Sequence, residues 1–158
     1  GILTFLAIQA LKIGLANPGI WFGVYAVAIL VSRPIAGPLS DKISRQAAIV
    51  PGLILNIVGI LMLAFAATPT ALIAAAIVTG LGTGAAQPAL MTLAVDQSST
   101  ERRGQSLAQF QFFYDLGIGV GSLTLGALLD LVNQSFLIMY MATAGVALVG
   151  LWITWRRK

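Results

Sequence analysis

The chain has 158 residues, of which 58% are hydrophobic and only 9% charged, with nine Lys and Arg against five Asp and Glu for a net charge of +4. A soluble domain carries about 25% charged residues, so this composition cannot clothe a water-facing surface and makes a lipid bilayer the expected solvent of the fold. Cysteine and histidine are both absent, which excludes disulfides, thiolate nucleophiles and His/Cys metal sites and removes the commonest general base. The basic residues stand at the ends of apolar runs and are not interleaved with aromatics, a pattern of membrane orientation and not of nucleic-acid binding.

In chain order, residues 1–14 are apolar apart from Thr4, Gln9 and Lys12. As a helix they would measure about 21 Å, short of the roughly 30 Å hydrocarbon core. Lys12 lies after the apolar run and Asn17-Pro18 follows, unlike a signal peptide. The expectation is the outer part of a spanning helix whose beginning lies upstream. Five complete spans are then predicted at about 18–39, 47–67, 70–95, 104–129 and 135–155. Pro18 suits a helix start, where its missing N–H costs nothing. Thr68-Pro69-Thr70 must hold a tight turn, because no charge separates Arg45 from Asp96 and that stretch is about twice one crossing. The runs are continuous and too long for barrel strands, and helices satisfy every backbone group internally, as lipid demands. Trp152 and Trp155 fall where an interfacial aromatic belt is expected.

Basic residues set the orientation. Arg33, Lys42 and Arg45 lie between the first and second spans, Arg102 and Arg103 between the third and fourth, and Arg156, Arg157 and Lys158 after the fifth. All three segments fall on one side, which the positive-inside rule makes cytoplasmic. The carboxyl end is then cytoplasmic too.

The densest group of charges, prolines and turn formers is Arg33-Pro34-Ile35-Ala36-Gly37-Pro38-Leu39-Ser40-Asp41-Lys42-Ile43-Ser44-Arg45-Gln46. It reads as a short cytoplasmic hinge. Pro34 and Pro38 are expected to disrupt the end of the first span, and bare Gly37 to let another helix approach. Asp41 would stand before the next helix, where the dipole favours an anion, and could pair with Arg45 four residues on. Such contacts would latch two helix ends together. An ordinary basic turn is the plainer reading of the same residues.

Gly37-x-Leu39-x-Asp41-Lys42-x-Ser44-Arg45-Gln46 resembles the loop signature of the major facilitator superfamily, with Ser44 in place of its second Gly and Gln46 in place of a basic residue. Arg33-Pro34-x-Ala36-Gly37 and Glu101-Arg102-Arg103-Gly104 resemble the degenerate second copy of that pattern. The resemblance covers essentially the whole chain and is strongest to bacterial drug:proton antiporters. It implies an all-α polytopic membrane protein: the carboxy-terminal half of a twelve-helix fold, from the end of helix seven to helix twelve. The implied partners are an amino-terminal half of the same transporter, the lipid bilayer, a small-molecule substrate and protons, with no cofactor, no nucleic acid and a place in the cell (inner) membrane. It further implies that Arg33, Gly37, Asp41, Lys42 and Arg45 form a gating loop. The path would be lined by helices seven, eight, ten and eleven, with nine and twelve peripheral.

Asp115 is the sharpest single residue. It falls near the middle of the fourth span, where a charge costs at least ~2.5 kcal/mol. Gln111, Asp115, Gly119 and Ser122 share one small, polar face. A proton carrier and a structural acid bonded to a neighbouring helix or to an Arg of the missing half are both open readings. The cavity-lining candidates are Gln9, Tyr25, Gln87, Gln111 and Tyr114, with interhelical bonding the alternative for each. The second and fifth spans carry little polarity beyond Asn56 and Thr143. Gly80-x-Gly82-x-Gly84 and Gly117-x-Gly119-x-Gly121 follow no strand and are not dinucleotide loops; their four-residue Gly spacing is expected to serve close helix packing. Pro88 is expected to kink the third span. Asn133-Gln134-Ser135 is a formal glycosylation sequon too close to the membrane to be more than chance.

Two function classes follow. One is secondary active transport by alternating access, expected as proton-coupled efflux of drug-like or amphipathic molecules, with uptake of a sugar or other nutrient as its alternative. The other is a polytopic subunit without transport activity. An intramembrane enzyme would need a nucleophile–base or metal constellation, and none is present in the sequence.

Overall fold

A computed structural model describes residues 2–132 and 135–156, with side chains from residue 5 onward. Its helices are α1 (Ile2–Lys12), α2 (Gly19–Lys42), α3 (Arg45–Ala64), α4 (Pro69–Asp96), α5 (Arg103–Leu131) and α6 (Phe136–Arg156), with a 3₁₀ turn at Thr100–Arg102 before α5. No strand occurs among the described residues. Helices α2 to α6 are each long and apolar enough to cross a membrane. Asn133 and Gln134 of the sequon, and Arg157 and Lys158 of the basic tail, lie outside the described residues.

Local chemistry sets the helix ends. Thr68 caps α4 through its hydroxyl, which accepts from the Ala71 amide at 3.2 Å, and Pro69 follows at the first helical position. Ser44 does the same for α3, accepting from the Ala47 amide at 3.1 Å. The expected hinge between α2 and α3 is thereby reduced to Ile43 and Ser44. Arg33, Gly37, Asp41 and Lys42 are helical residues of α2, and Arg45 opens α3, so the expected gating loop is not a loop. Helix α2 runs through Pro34 and Pro38 without breaking. The prolines stand four apart, and the carbonyl that Pro38 leaves unpaired belongs to Pro34 itself, so the lost ladder bonds fall on one face. Around Gly37, a side chain would meet nothing within 4 Å among the described residues, so the expected helix approach is not made there.

Helix α4 is the centre of the bundle, and its glycines face two ways. Cβ atoms built on Gly80 would fall 2.6 Å from the Tyr25 carbonyl oxygen and 2.6 Å from the Ala28 Cβ, both on α2. At Gly84 one would collide with Ser32 and lie 2.7 Å from the Ile29 carbonyl oxygen. Gly82, half a turn round, meets α3: its Cβ would lie 2.7 Å from the Asn56 nitrogen and from the Gly52 carbonyl oxygen. Backbones that approach this closely replace the hydrophobic drive that lipid cannot supply. Gly117 and Gly121 break the pattern. Nothing lies within 4 Å of a Cβ at either, so the packing expected of that pair is not made within this chain.

Two buried clusters hold the ends. At the end opposite the main basic segments, Leu6, Trp21, Leu63, Leu72, Met139 and Tyr140 are fully or almost fully enclosed. At the other end Ala36, Ala48, Ile49 and Ala89 join only α2, α3 and α4. Helix α5 buries Leu129 alone, leaving Phe112, Phe113, Leu116, Val120 and Leu123 exposed.

Gln9 belongs to the first cluster. Its side-chain amide donates to the Leu63 carbonyl at 2.9 Å and accepts from the Tyr140 hydroxyl at 2.6 Å, tying α1 to α3 and α6. Replacing Tyr140 by phenylalanine strands the Gln9 oxygen in an apolar site. The expected cost is about 1–3 kcal/mol, read as a lower thermal midpoint of the purified protein. Adding Gln9→Leu, which removes the stranded oxygen, should recover part of that loss.

Candidate functional site

A cavity of about 840 Å³ opens among α2, α3, α4, α5 and α6. This is within the usual volume of small-molecule sites. One wall is aromatic: Trp21 and Tyr25 are stacked with ring centres 5.1 Å apart, and Phe113 and Tyr114 face the cavity from α5. Trp21 is pinned by its indole N–H, which donates to the Leu72 carbonyl at 2.9 Å. Gly117 and Gly121 also line the space. Their missing side chains widen the cavity, where the sequence pattern had suggested helix contact.

A chain of hydrogen bonds crosses the wall. The Tyr25 hydroxyl donates to Thr83 at 3.2 Å, the Thr83 hydroxyl donates to the Asn56 side-chain oxygen at 3.0 Å, and the Asn56 amide donates to the Gly52 carbonyl at 3.1 Å. It links α2, α4 and α3 beside their glycine contacts. Asn56 and Thr143, the sparse polar groups of the second and fifth spans, both line the cavity. Those spans correspond to the helices that the family resemblance made peripheral, so in this structure α3 and α6 contribute to a cavity as well as facing outward.

Of the five cavity candidates, Tyr25 and Tyr114 line this space. Gln9 is committed to its interhelical bonds. Gln87 and Gln111 do not border the cavity; Gln87 is half-buried and Gln111 exposed. Gln111 instead serves Asp115, its side-chain N–H group lying 3.1 Å from each carboxylate oxygen. Asp115 is exposed on α5, one helical turn from Gln111 and beside the cavity-lining Tyr114. Among the described residues Asp115 makes no bond to a neighbouring helix, one of the two structural readings: the partner is on the same helix.

The second functional cluster lies at the basic end. Arg45 pairs with Asp41 across the α2–α3 break and with Asp96 at 2.8 Å, at the end of α4; it also donates to Ser40 at 3.2 Å. Pairing with Asp41 was expected if the segment were helical. It forms instead between two helices brought together by the short turn. Asp96 was not anticipated, since 51 residues separate it from Arg45 and no local spacing signals the contact. One guanidinium thus holds three helix ends through charge-assisted bonds. Both acids are well exposed, so solvent and salt screen the cluster. Arg45→Gln is expected to lower the thermal midpoint by at most a few degrees at low ionic strength. The difference from the parent should narrow in high salt, as a salt titration of the midpoint will show.

Among the described residues no group of three or more potential metal ligands is found. A sequence model of the Major Facilitator Superfamily matches residues 1–158. The chain is 31% identical over 137 residues to "Multidrug resistance protein MdtG" of Escherichia coli (strain K12 / DH10B), a match covering 87% of this chain and 33% of the relative. The protein of the same name from Escherichia coli O139:H28 matches with the same identity and coverage. The chain therefore spans about one third of the length of the curated relatives it matches. A match along the whole chain, five membrane-length helices and the Asp41–Arg45 signature agree: this multi-pass membrane protein belongs to the Major Facilitator Superfamily.

Proposed function

We propose that the chain is the carboxy-terminal helical bundle of a secondary active transporter. It works by alternating access against an amino-terminal bundle, and exports drug-like or amphipathic small molecules in exchange for protons. The observation that carries the reading is the 840 Å³ cavity inside a bundle of this family. Its wall combines four aromatic rings with a few hydroxyls and one amide. An amphipath can bury its body against the rings and satisfy one or two polar groups, whereas a sugar needs paired donors and acceptors around its whole ring, which this wall does not offer. The name of the MdtG relatives agrees with a drug-like substrate. On this reading the protein lies in the cell (inner) membrane with its basic turns and carboxyl end in the cytoplasm, and the Arg45 cluster latches cytoplasmic helix ends that separate as the bundles rock.

The test is the intact protein in liposomes with an acidic lumen. Ethidium, a permanent cation that cannot accumulate as a neutral base, should enter the lumen several-fold faster than in empty liposomes. A protonophore should abolish the difference. Entry indifferent to the pH gradient would overturn the proton-coupled reading, and no entry of ethidium or of other drug-like amphipaths would overturn export of that class.

A further inference from the structure

The hydrogen-bond chain in the cavity wall has a direction, and that direction fixes what the cavity offers a ligand. The Gly52 carbonyl can only accept, so the group facing it is the Asn56 N–H, at 3.1 Å. The Asn56 oxygen must therefore face Thr83, and the Thr83 hydroxyl must spend its proton on it, at 3.0 Å. Thr83 then has only a lone pair to offer Tyr25, whose hydroxyl proton is spent in turn, at 3.2 Å. The remaining lining hydroxyls follow the same economy. Thr79 donates to the Ala75 carbonyl at 2.7 Å, Thr124 to Val120 at 3.0 Å and Thr143 to Met139 at 2.8 Å. The Trp21 N–H is committed to Leu72. What is left facing the cavity is a set of oxygen lone pairs and aromatic faces, against two spare donors, the second Asn56 N–H and the Tyr114 hydroxyl. Among the described residues no Lys, Arg, Asp or Glu lines the space.

We propose that this cavity, inside one bundle and bordered by α3 and α6, is a binding site for aromatic amphipaths that bring hydrogen-bond donors of their own, such as phenols. Tyr25, Thr83 and Asn56 are its specificity-determining residues. The proposal rests on the transport reading above and names the ligand class of that site. A donor placed in the wall gains a bond that the wall's own groups cannot supply. An ether of the same shape leaves acceptor facing acceptor. An anion meets the same lone pairs with no cation to balance it.

The test compares bisphenol A with its dimethyl ether by equilibrium dialysis against the intact purified protein, corrected for partition into detergent. A merely greasy cavity would favour the ether, which carries two more methyl groups, so the sign of the preference is decisive. The phenol should bind about tenfold more tightly. Thr83→Val frees the Tyr25 proton and breaks the chain, and should cut the preference to threefold or less. Thr83→Ser keeps both bonds and should retain it. Ether binding as tight as phenol binding, or a preference that survives Thr83→Val, would overturn donor selection, as would its loss in Thr83→Ser. Failure of both probes to bind would overturn the site. Gradient-driven ethidium entry, measured on the same preparations, separates these failures from failure of the transport reading.

Discussion

Gly82→Val is expected to be among the most destabilising single changes in the bundle. A Cβ at Gly82 would lie 2.7 Å from the Asn56 nitrogen and 2.7 Å from the Gly52 carbonyl oxygen. Both are backbone atoms, so no rotamer change can make room and α3 must move away from α4. Overpacking in a close-packed interior costs about 1–3 kcal/mol, occasionally more, and the two γ-methyls of valine enlarge the clash beyond a single methyl. Separation also pulls Asn56 away from Thr83, so the aromatic wall of the cavity should lose its tie along with the helix contact. The measurement is the thermal midpoint of the purified protein, with ligand binding followed in parallel. Gly117→Ala is the control. It is also a helical glycine, but with nothing within 4 Å of the added carbon, and the gain in helix propensity of up to about 1 kcal/mol should leave it as stable as the parent or more so. A Gly82→Val protein as stable as the parent would mean that α3 and α4 do not cross where the structure places them.

The contrast between these two glycines also shows what a sequence can disclose of such a fold. Gly80 and Gly84, and Gly117 and Gly121, have the same spacing, yet the first pair packs on α2 and the second opens a cavity. Spacing reports which residues share a face but not what stands opposite it. The all-α, polytopic class was legible because lipid forces helices to be continuous apolar runs, and the turn before α4 was legible because only Thr68-Pro69-Thr70 divides a stretch about twice one crossing. Hidden were contacts between residues far apart in sequence: Arg45 with Asp96, Gln9 with Tyr140, Tyr25 with Thr83, and Thr83 with Asn56. The prolines of α2 misled for a related reason. Proline removes a donor locally, but a helix whose other bonds and packing persist tolerates the loss, and Ala36 and Ser40 remain buried on the same helix. Asn56 looked like a lone polar residue in a plain span because its partner across the helix contact, Thr83, lies on α4.

Asp115→Asn should abolish the dependence of transport on the proton gradient, by at least tenfold in gradient-driven rate, while leaving substrate binding within about twofold. The carboxylate stands near the middle of α5, exposed on a helix that buries only Leu129 against its neighbours. Its hydrogen-bonding neighbour among the described residues is the neutral Gln111 amide, at 3.1 Å from both oxygens. A neutral donor does not cancel a charge. On the proposed exchange mechanism, shutting that face away from water would make a bare carboxylate cost at least ~2.5 kcal/mol, and opening it to water would remove that cost. Protonation would thus be tied to which side is open, as exchange of a proton for a substrate requires. Asparagine keeps the size and an oxygen for Gln111 but stays neutral in both states, so it removes the switch and not the packing. The same reasoning orders two further variants. Asp115→Glu should retain part of the gradient dependence, since the acid survives with its oxygens shifted. Gln111→Leu should weaken the dependence without abolishing it, because the acid loses its donor but not its proton. A purely structural Asp115 makes the opposite prediction: Asn would lower the thermal midpoint while the surviving protein still followed the gradient, and that pattern would remove Asp115 from the coupling step.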